Sequence, residues 1–137
     1  MLIKQISDWA SANPKRLFQI DGFGAILSAI LLGVVLVRLE GVFGIPKTTL
    51  YFLASLPCLF AIYDFFCYFK LAGNWGIFLK GIAISNLTYC FLSMGMAFYH
   101  RAEITNLGWT YILIEISIVG MLAYIEWSVA TNLQTRP

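Results

Sequence analysis

Four long apolar runs dominate the chain, and each breaks off at a short cluster of polar, glycine or proline residues. The first runs from about Leu17 to Leu39 and ends among Arg38, Glu40, Gly41, Gly44 and Pro46. The second, from about Thr48 to Phe69, carries Pro57 near its middle, where the missing backbone donor frees the Leu53 carbonyl and a kink is expected. Lys70 to Trp75, with Gly73 and Asn74, reads as a tight turn. The third run, from about Ile77 to Tyr99, is closed by His100, Arg101 and Glu103. The fourth, from about Leu107 to Ala130, is followed by the polar tail TNLQTRP. Each run reaches the roughly 20 residues that a helix needs to cross a bilayer core. Ahead of them, Leu2, Ile6 and Trp9 share one helical face with Lys4, Gln5 and Asp8 around the rest, which suits a short helix lying in the headgroup layer and ended by Pro14.

These patterns predict an all-α fold: an integral membrane four-helix up-down bundle with a short N-terminal interfacial amphipathic helix, forming a single transmembrane domain over residues 1–137. Composition agrees. Hydrophobic residues make up 60% of the chain and charged residues only 12%, against roughly 25% in soluble domains, and mean hydropathy is +0.79. Asp8, Asn13, Pro14 and two bases precede the first long run, so the N-terminus does not read as a cleaved signal peptide and the first span is expected to stay as an anchor.

Charge then sets orientation and excludes one class of partner. Lys4, Lys15, Arg16, Lys70, Lys80 and Arg136 fall on the side of the N-terminus, against Arg38, Lys47 and Arg101 opposite, which predicts both termini in the cytoplasm. Trp9, Trp75, Trp109 and Trp127 all fall near span ends, as in an aromatic belt. The net charge of +2 is small and scattered, with no basic run longer than Lys15-Arg16, so nucleic acid is not an expected partner. Expected partners are membrane lipids and a second copy or partner membrane subunit.

The small residues Ala25, Ala29 and Gly33, the pair Gly24 and Ser28, and the pairs Gly81/Ser85 and Ser93/Ala97 are spaced as helix-packing seams. Cys58, Cys67 and Cys90 lie inside apolar runs and form no CxxC, so three free thiols are expected, although Cys58 and Cys90 come out at nearly equal depth. His100 is the only histidine, and neither metal nor cofactor is expected.

Candidate chemistry rests on the acids inside the runs. An ionised Asp at a span centre costs on the order of 2.5 to 3.5 kcal/mol even on the lenient insertion scale. Antiparallel order puts Asp21, Asp64, Lys80 and Glu126 within about two turns of the cytoplasmic surface. They are expected to form one polar cluster, either satisfied by headgroups, water and Lys80 or facing a cytoplasmic vestibule that takes a cation, a proton or a basic group. Glu115 lies deeper. Gly108, Tyr111, Glu115, Leu122 and Glu126 share a face, and Asn86, Tyr89, Cys90, Ser93 and His100 form a comparable stripe on the third span. Glu115 with Asn86, Tyr89, Ser93 and Tyr111 is therefore the candidate proton- or ligand-binding set, with a protonated Glu115 holding two helices together as the structural reading.

The stretches FQIDGFGAILSAILLGVVLVRLE, FGIPKTTLY and TNLGWTYILIEISIVGMLAYIE resemble an uncharacterised family of small four-span bacterial membrane proteins. That resemblance implies the topology and a bacterial cytoplasmic (inner) membrane, and carries no activity or site residues with it. The expected function is a non-enzymatic bundle that handles a ligand or proton around Glu115, or a partner subunit. Two alternatives differ in class. A proton-coupled small-solute carrier acting as an oligomer needs water access to Glu115 from both sides in turn. An intramembrane lipid-modifying enzyme needs a lipid-sized side cavity, with Glu115, Asn86 and Tyr89 converging within hydrogen-bond reach.

Overall fold

The computed structural model describes residues 2–71 and 73–135, and all of its regular elements are helical. Helix α1 (Leu2–Ala12) ends where the Asn13 side-chain amide donates to the Trp9 carbonyl at 3.1 Å. Pro14 opens α2 (Pro14–Arg38), where its missing N–H costs nothing. A π-helical turn at Leu31–Val35 interrupts α2, and a helical turn at Glu40–Phe43 follows it. Then come α3 (Lys47–Lys70), α4 (Trp75–Tyr99) and α5 (Asn106–Thr135). Helices α2 to α5 are each long and apolar enough to cross a membrane.

The helices outrun the apolar runs in several places. α2 starts three residues before Leu17, and the apolar part of α5 continues three residues past Ala130 to Leu133, which pushes the acids about 4.5 Å further from the helix ends. α5 also carries the helix through part of the polar tail, to Thr135. Arg136, one of the bases used to set orientation, lies outside the described residues. α3 runs unbroken through Pro57, which is buried; the irregularity in α2, the π turn, has no proline to mark it.

α2 packs along α3, and α4 packs along α5, while α1 lies against α5. α1 turns Ser7, Ala10 and Ser11 inward and leaves Leu2, Ile6 and Trp9 outward. At the opposite end the chain between α2 and α3 is tied to the start of α5. Thr105 donates through its hydroxyl to the Val42 carbonyl at 2.6 Å and through its N–H to the Phe43 carbonyl at 3.1 Å. Gly44, at φ 74°, sits where a Cβ would lie 2.2 Å from the Glu103 carbonyl oxygen, so no larger residue fits this turn.

Two apolar layers form the core. One gathers Leu17, Phe18, Cys67, Leu79, Ile82 and Val129; the other gathers Leu32, Leu36, Leu50, Leu53, Ala97 and Ile112. The buried acids Asp21, Asp64 and Glu126, with Asn86, lie between these layers, and Tyr89 belongs to the second. The seams expected from small residues divide accordingly. Gly33 does meet α3, with a Cβ there coming 3.3 Å from Ala54, whereas a Cβ on Gly24 would meet nothing within 4 Å. Gly24 and Ser28 line a void instead of a helix contact.

Candidate functional site

One helical turn inward from the Phe18–Val129 layer, three acids come together from three helices: Asp21 of α2, Asp64 of α3 and Glu126 of α5. Asp64 and Glu126 are fully buried and Asp21 is 3% exposed. Asn86 of α4 completes the layer. Its side-chain amide donates to Asp21 Oδ1 and to Glu126 Oε1, each at 2.8 Å, so both of its N–H groups are committed. Asp21 lies beside both the Asp64 and the Glu126 carboxyls. Asp21 Oδ2, both oxygens of Asp64 and Glu126 Oε2 receive no hydrogen bond from an N–H or hydroxyl donor. Among the described residues, no basic side chain pairs with any of the three.

This arrangement corrects two expectations. The acids are not at a solvated helix end and do not face an open vestibule there: Phe18, Cys67, Leu79 and Val129, each fully buried, close the layer on that side. Lys80 is not part of the cluster. Its ammonium sits 5.0 Å from the centre of the Trp127 ring, a cation–π contact that takes the long side chain outward.

Glu115 sits deeper along α5 and is 8% exposed. The Tyr89 hydroxyl donates to its Oε1 and the Tyr111 hydroxyl donates to its Oε2 at 2.7 Å, so both oxygens are served by phenols. Of the residues expected to surround Glu115, the structure brings Tyr89 and Tyr111 to it. Asn86 goes to the acid layer instead, and Ser93 is buried with its hydroxyl unpartnered. Asn86 and Tyr89 are only three residues apart on α4, yet the acids they serve on α5, Glu126 and Glu115, are about three helical turns apart, and the length of the Tyr89 side chain spans much of that difference.

Between the groups lies a cavity of about 80 Å³. All four long helices contribute: Asp21 and Ser28 from α2, Phe60 from α3, Asn86 and Tyr89 from α4, and Leu122 from α5. Asp21 therefore joins the acid layer to the cavity, and Tyr89 joins the cavity to Glu115. By water's share of liquid volume the space equals about two or three molecules. The sequence offered little to find it, because Ser28 and Gly24 have the same spacing whether a helix or a void faces them.

Other polar groups are separate. Thr49 and His100 pair at 3.0 Å near the start of α3, with Glu103 3.7 Å from the His100 ring. Cys58, Cys67 and Cys90 are all free, and Cys58 is exposed while Cys90 is buried. Among the described residues no group of three or more His, Cys, Asp or Glu side chains is arranged to hold a metal ion. A scan against protein-family models, a search of curated proteins and a search of solved structures each return no match to this chain.

Proposed function

We propose that this chain is a multi-pass protein of a bacterial cytoplasmic membrane, crossing it as an up-down bundle with both termini inside, and that it is a non-enzymatic, ligand-handling bundle whose site is the proton-sharing carboxyl layer with its adjoining cavity. The four long apolar helices, the excess of bases on the side of the N-terminus and the outward apolar face of α1 support the membrane reading. The interior stripe of α5 from Tyr111 to Glu126 covers about 22 Å along the helix axis, out of a hydrocarbon core of about 30 Å.

The observation that carries the functional reading is the layer of three buried carboxyls without a basic partner. Leaving all three ionised would cost on the order of 7 to 11 kcal/mol on the insertion scale, as much as the whole stability of an ordinary domain. Protons must therefore be bound as part of the folded state. Two of them, one between each neighbouring pair, link Asp64, Asp21 and Glu126 and give each acid at least one proton-mediated partner. Asp21 alone of the three also lines the cavity, so an exchangeable proton stands at the edge of a space that a small molecule can fill.

The cavity is too small for a lipid tail, and Asn86 is engaged away from Glu115; both points favour ligand handling over an intramembrane lipid enzyme. Apolar layers on both sides of the polar interior favour it over a carrier open to water from each face. Native mass spectrometry from mild detergent tests the reading. One small molecule should be retained per chain and lost in Asp21→Asn; wild-type protein found only at its own bare mass would overturn it.

A further inference from the structure

We propose that the ligand of this cavity is a small lipophilic primary amine, which enters from the bilayer between α2 and α5 and is held as an ammonium ion on the Asp21 carboxylate. The inference rests on the functional reading above and names its ligand class.

The chemistry of the walls selects the ligand. Both amide hydrogens of Asn86 are committed to the acids, and the Tyr89 hydroxyl hydrogen is committed to Glu115. Asn86, Tyr89 and Asp21 therefore have only acceptor oxygen and aromatic ring left to offer a ligand, with the Ser28 hydroxyl as the remaining polar group of the lining. Asp21 is 3% exposed and its Oδ2 lacks a donor. Phe60 and Tyr89 meet edge to face, with centroids 6.3 Å apart, and form an aromatic wall. Acceptors plus π surface suit a donor-rich cation and reject an anion or a carbonyl compound. A space of about 80 Å³ takes a primary ammonium head and not a bulky quaternary one.

Access selects the rest of the molecule. The polar interior is closed at its ends by Phe18, Leu79 and Val129 on one side and by Leu32, Leu36 and Leu50 on the other, each at most 1% exposed. The cavity opens sideways instead. Gly24 and Ile118 form part of its lining; Gly24 is exposed, and Ile118 is 62% exposed. α2 and α5 touch over only a short stretch. A molecule using this mouth passes through hydrocarbon, so it arrives as the neutral free base and carries an apolar tail that can rest along Gly24 and Ile118.

The proton balance follows. An alkylammonium ion in water gives up one proton on entering the bilayer. The neutral amine then takes the shared proton at Asp21, its nitrogen lone pair forming the new N–H bond as the O–H bond breaks, and leaves an ammonium–carboxylate pair. In total, one alkylammonium is bound and one proton is released to solution.

The experiment is calorimetric titration of the full chain in detergent with n-hexylamine, in buffers of different ionisation enthalpy, with n-hexanol and tetramethylammonium as controls. Saturable binding of one amine with release of one proton is expected. Hexanol and tetramethylammonium should bind at least roughly 100-fold more weakly, and Asp21→Asn should weaken the amine by a similar factor. Gly24→Leu places a side chain in open space at the mouth; it should abolish amine binding while the infrared band of the protonated carboxyls persists. Equal binding of hexylamine and hexanol would overturn the proposal, as would undiminished binding to Gly24→Leu. If amine binding fails while wild-type protein still retains a different molecule that Asp21→Asn loses, the amine inference falls and the ligand-handling reading stands; if both fail, both fall.

Discussion

Replacing Asn86 with leucine removes the two hydrogen bonds that tie α4 to α2 and to α5 through Asp21 and Glu126, and changes side-chain volume little. Single interhelical hydrogen bonds measured in membrane proteins average about 0.6 kcal/mol and reach about 1.7, so losing both costs about 1 to 3.5 kcal/mol. Both carboxyls are at most 3% exposed, which favours the upper half of that range. Equilibrium unfolding in mixed micelles of increasing SDS content, followed by tryptophan fluorescence, measures the loss. The same substitution in an Asp21→Leu background isolates one bond, because only the Glu126 contact then remains to be lost; its cost should fall by about 0.6 to 1.7 kcal/mol. A cost below about 0.5 kcal/mol for Asn86→Leu alone, or the same cost in both backgrounds, would refute Asn86 as the tie between these helices.

Three further outcomes follow from other parts of the fold. Glu115→Leu strands the Tyr89 and Tyr111 hydroxyls and should destabilise by about 2 kcal/mol or more, whereas Glu115→Gln keeps an acceptor and should cost about 1 kcal/mol or less; melting in detergent ranks the two. Gly108→Ala puts a Cβ 2.1 Å from the Phe43 carbonyl oxygen and should cost more than about 2 kcal/mol, while Gly24→Ala meets nothing within 4 Å and should be near neutral in the same assay. N-ethylmaleimide in detergent should label Cys58 in the folded protein, and Cys67 and Cys90 only after unfolding, with the same final mass whether or not reductant is present.

The long helices were legible from hydropathy because burial of apolar runs is a one-dimensional signal. Their ends were less so: Pro14 and Leu133 belong to the helices although polar neighbours interrupt the apolar pattern. That difference moved Asp21 and Glu126 inward and turned an expected surface cluster into a closed layer. The Tyr89–Glu115–Tyr111 group could be foreseen from helical spacing and depth, since Tyr111 and Glu115 are four residues apart on one helix. The destination of Asn86 could not. It shares a stripe with Tyr89, and only the rotation and tilt of α4 decide which acid each side chain meets. Lys80 was misjudged for a related reason: its flexible stem lets the ammonium choose between a carboxyl and the Trp127 ring, and the sequence does not rank them. The cavity is the least legible feature, because small residues leave room without saying what fills it.

The carbonyl stretch of protonated carboxyls reports most directly on protons shared by Asp21, Asp64 and Glu126 in the folded bundle. Infrared spectra of the protein in lipid at neutral pH should contain this band, it should shift in deuterated water, and Asp21→Asn and Glu126→Gln should each diminish it. A wild-type spectrum containing only the carboxylate stretches would contradict the account.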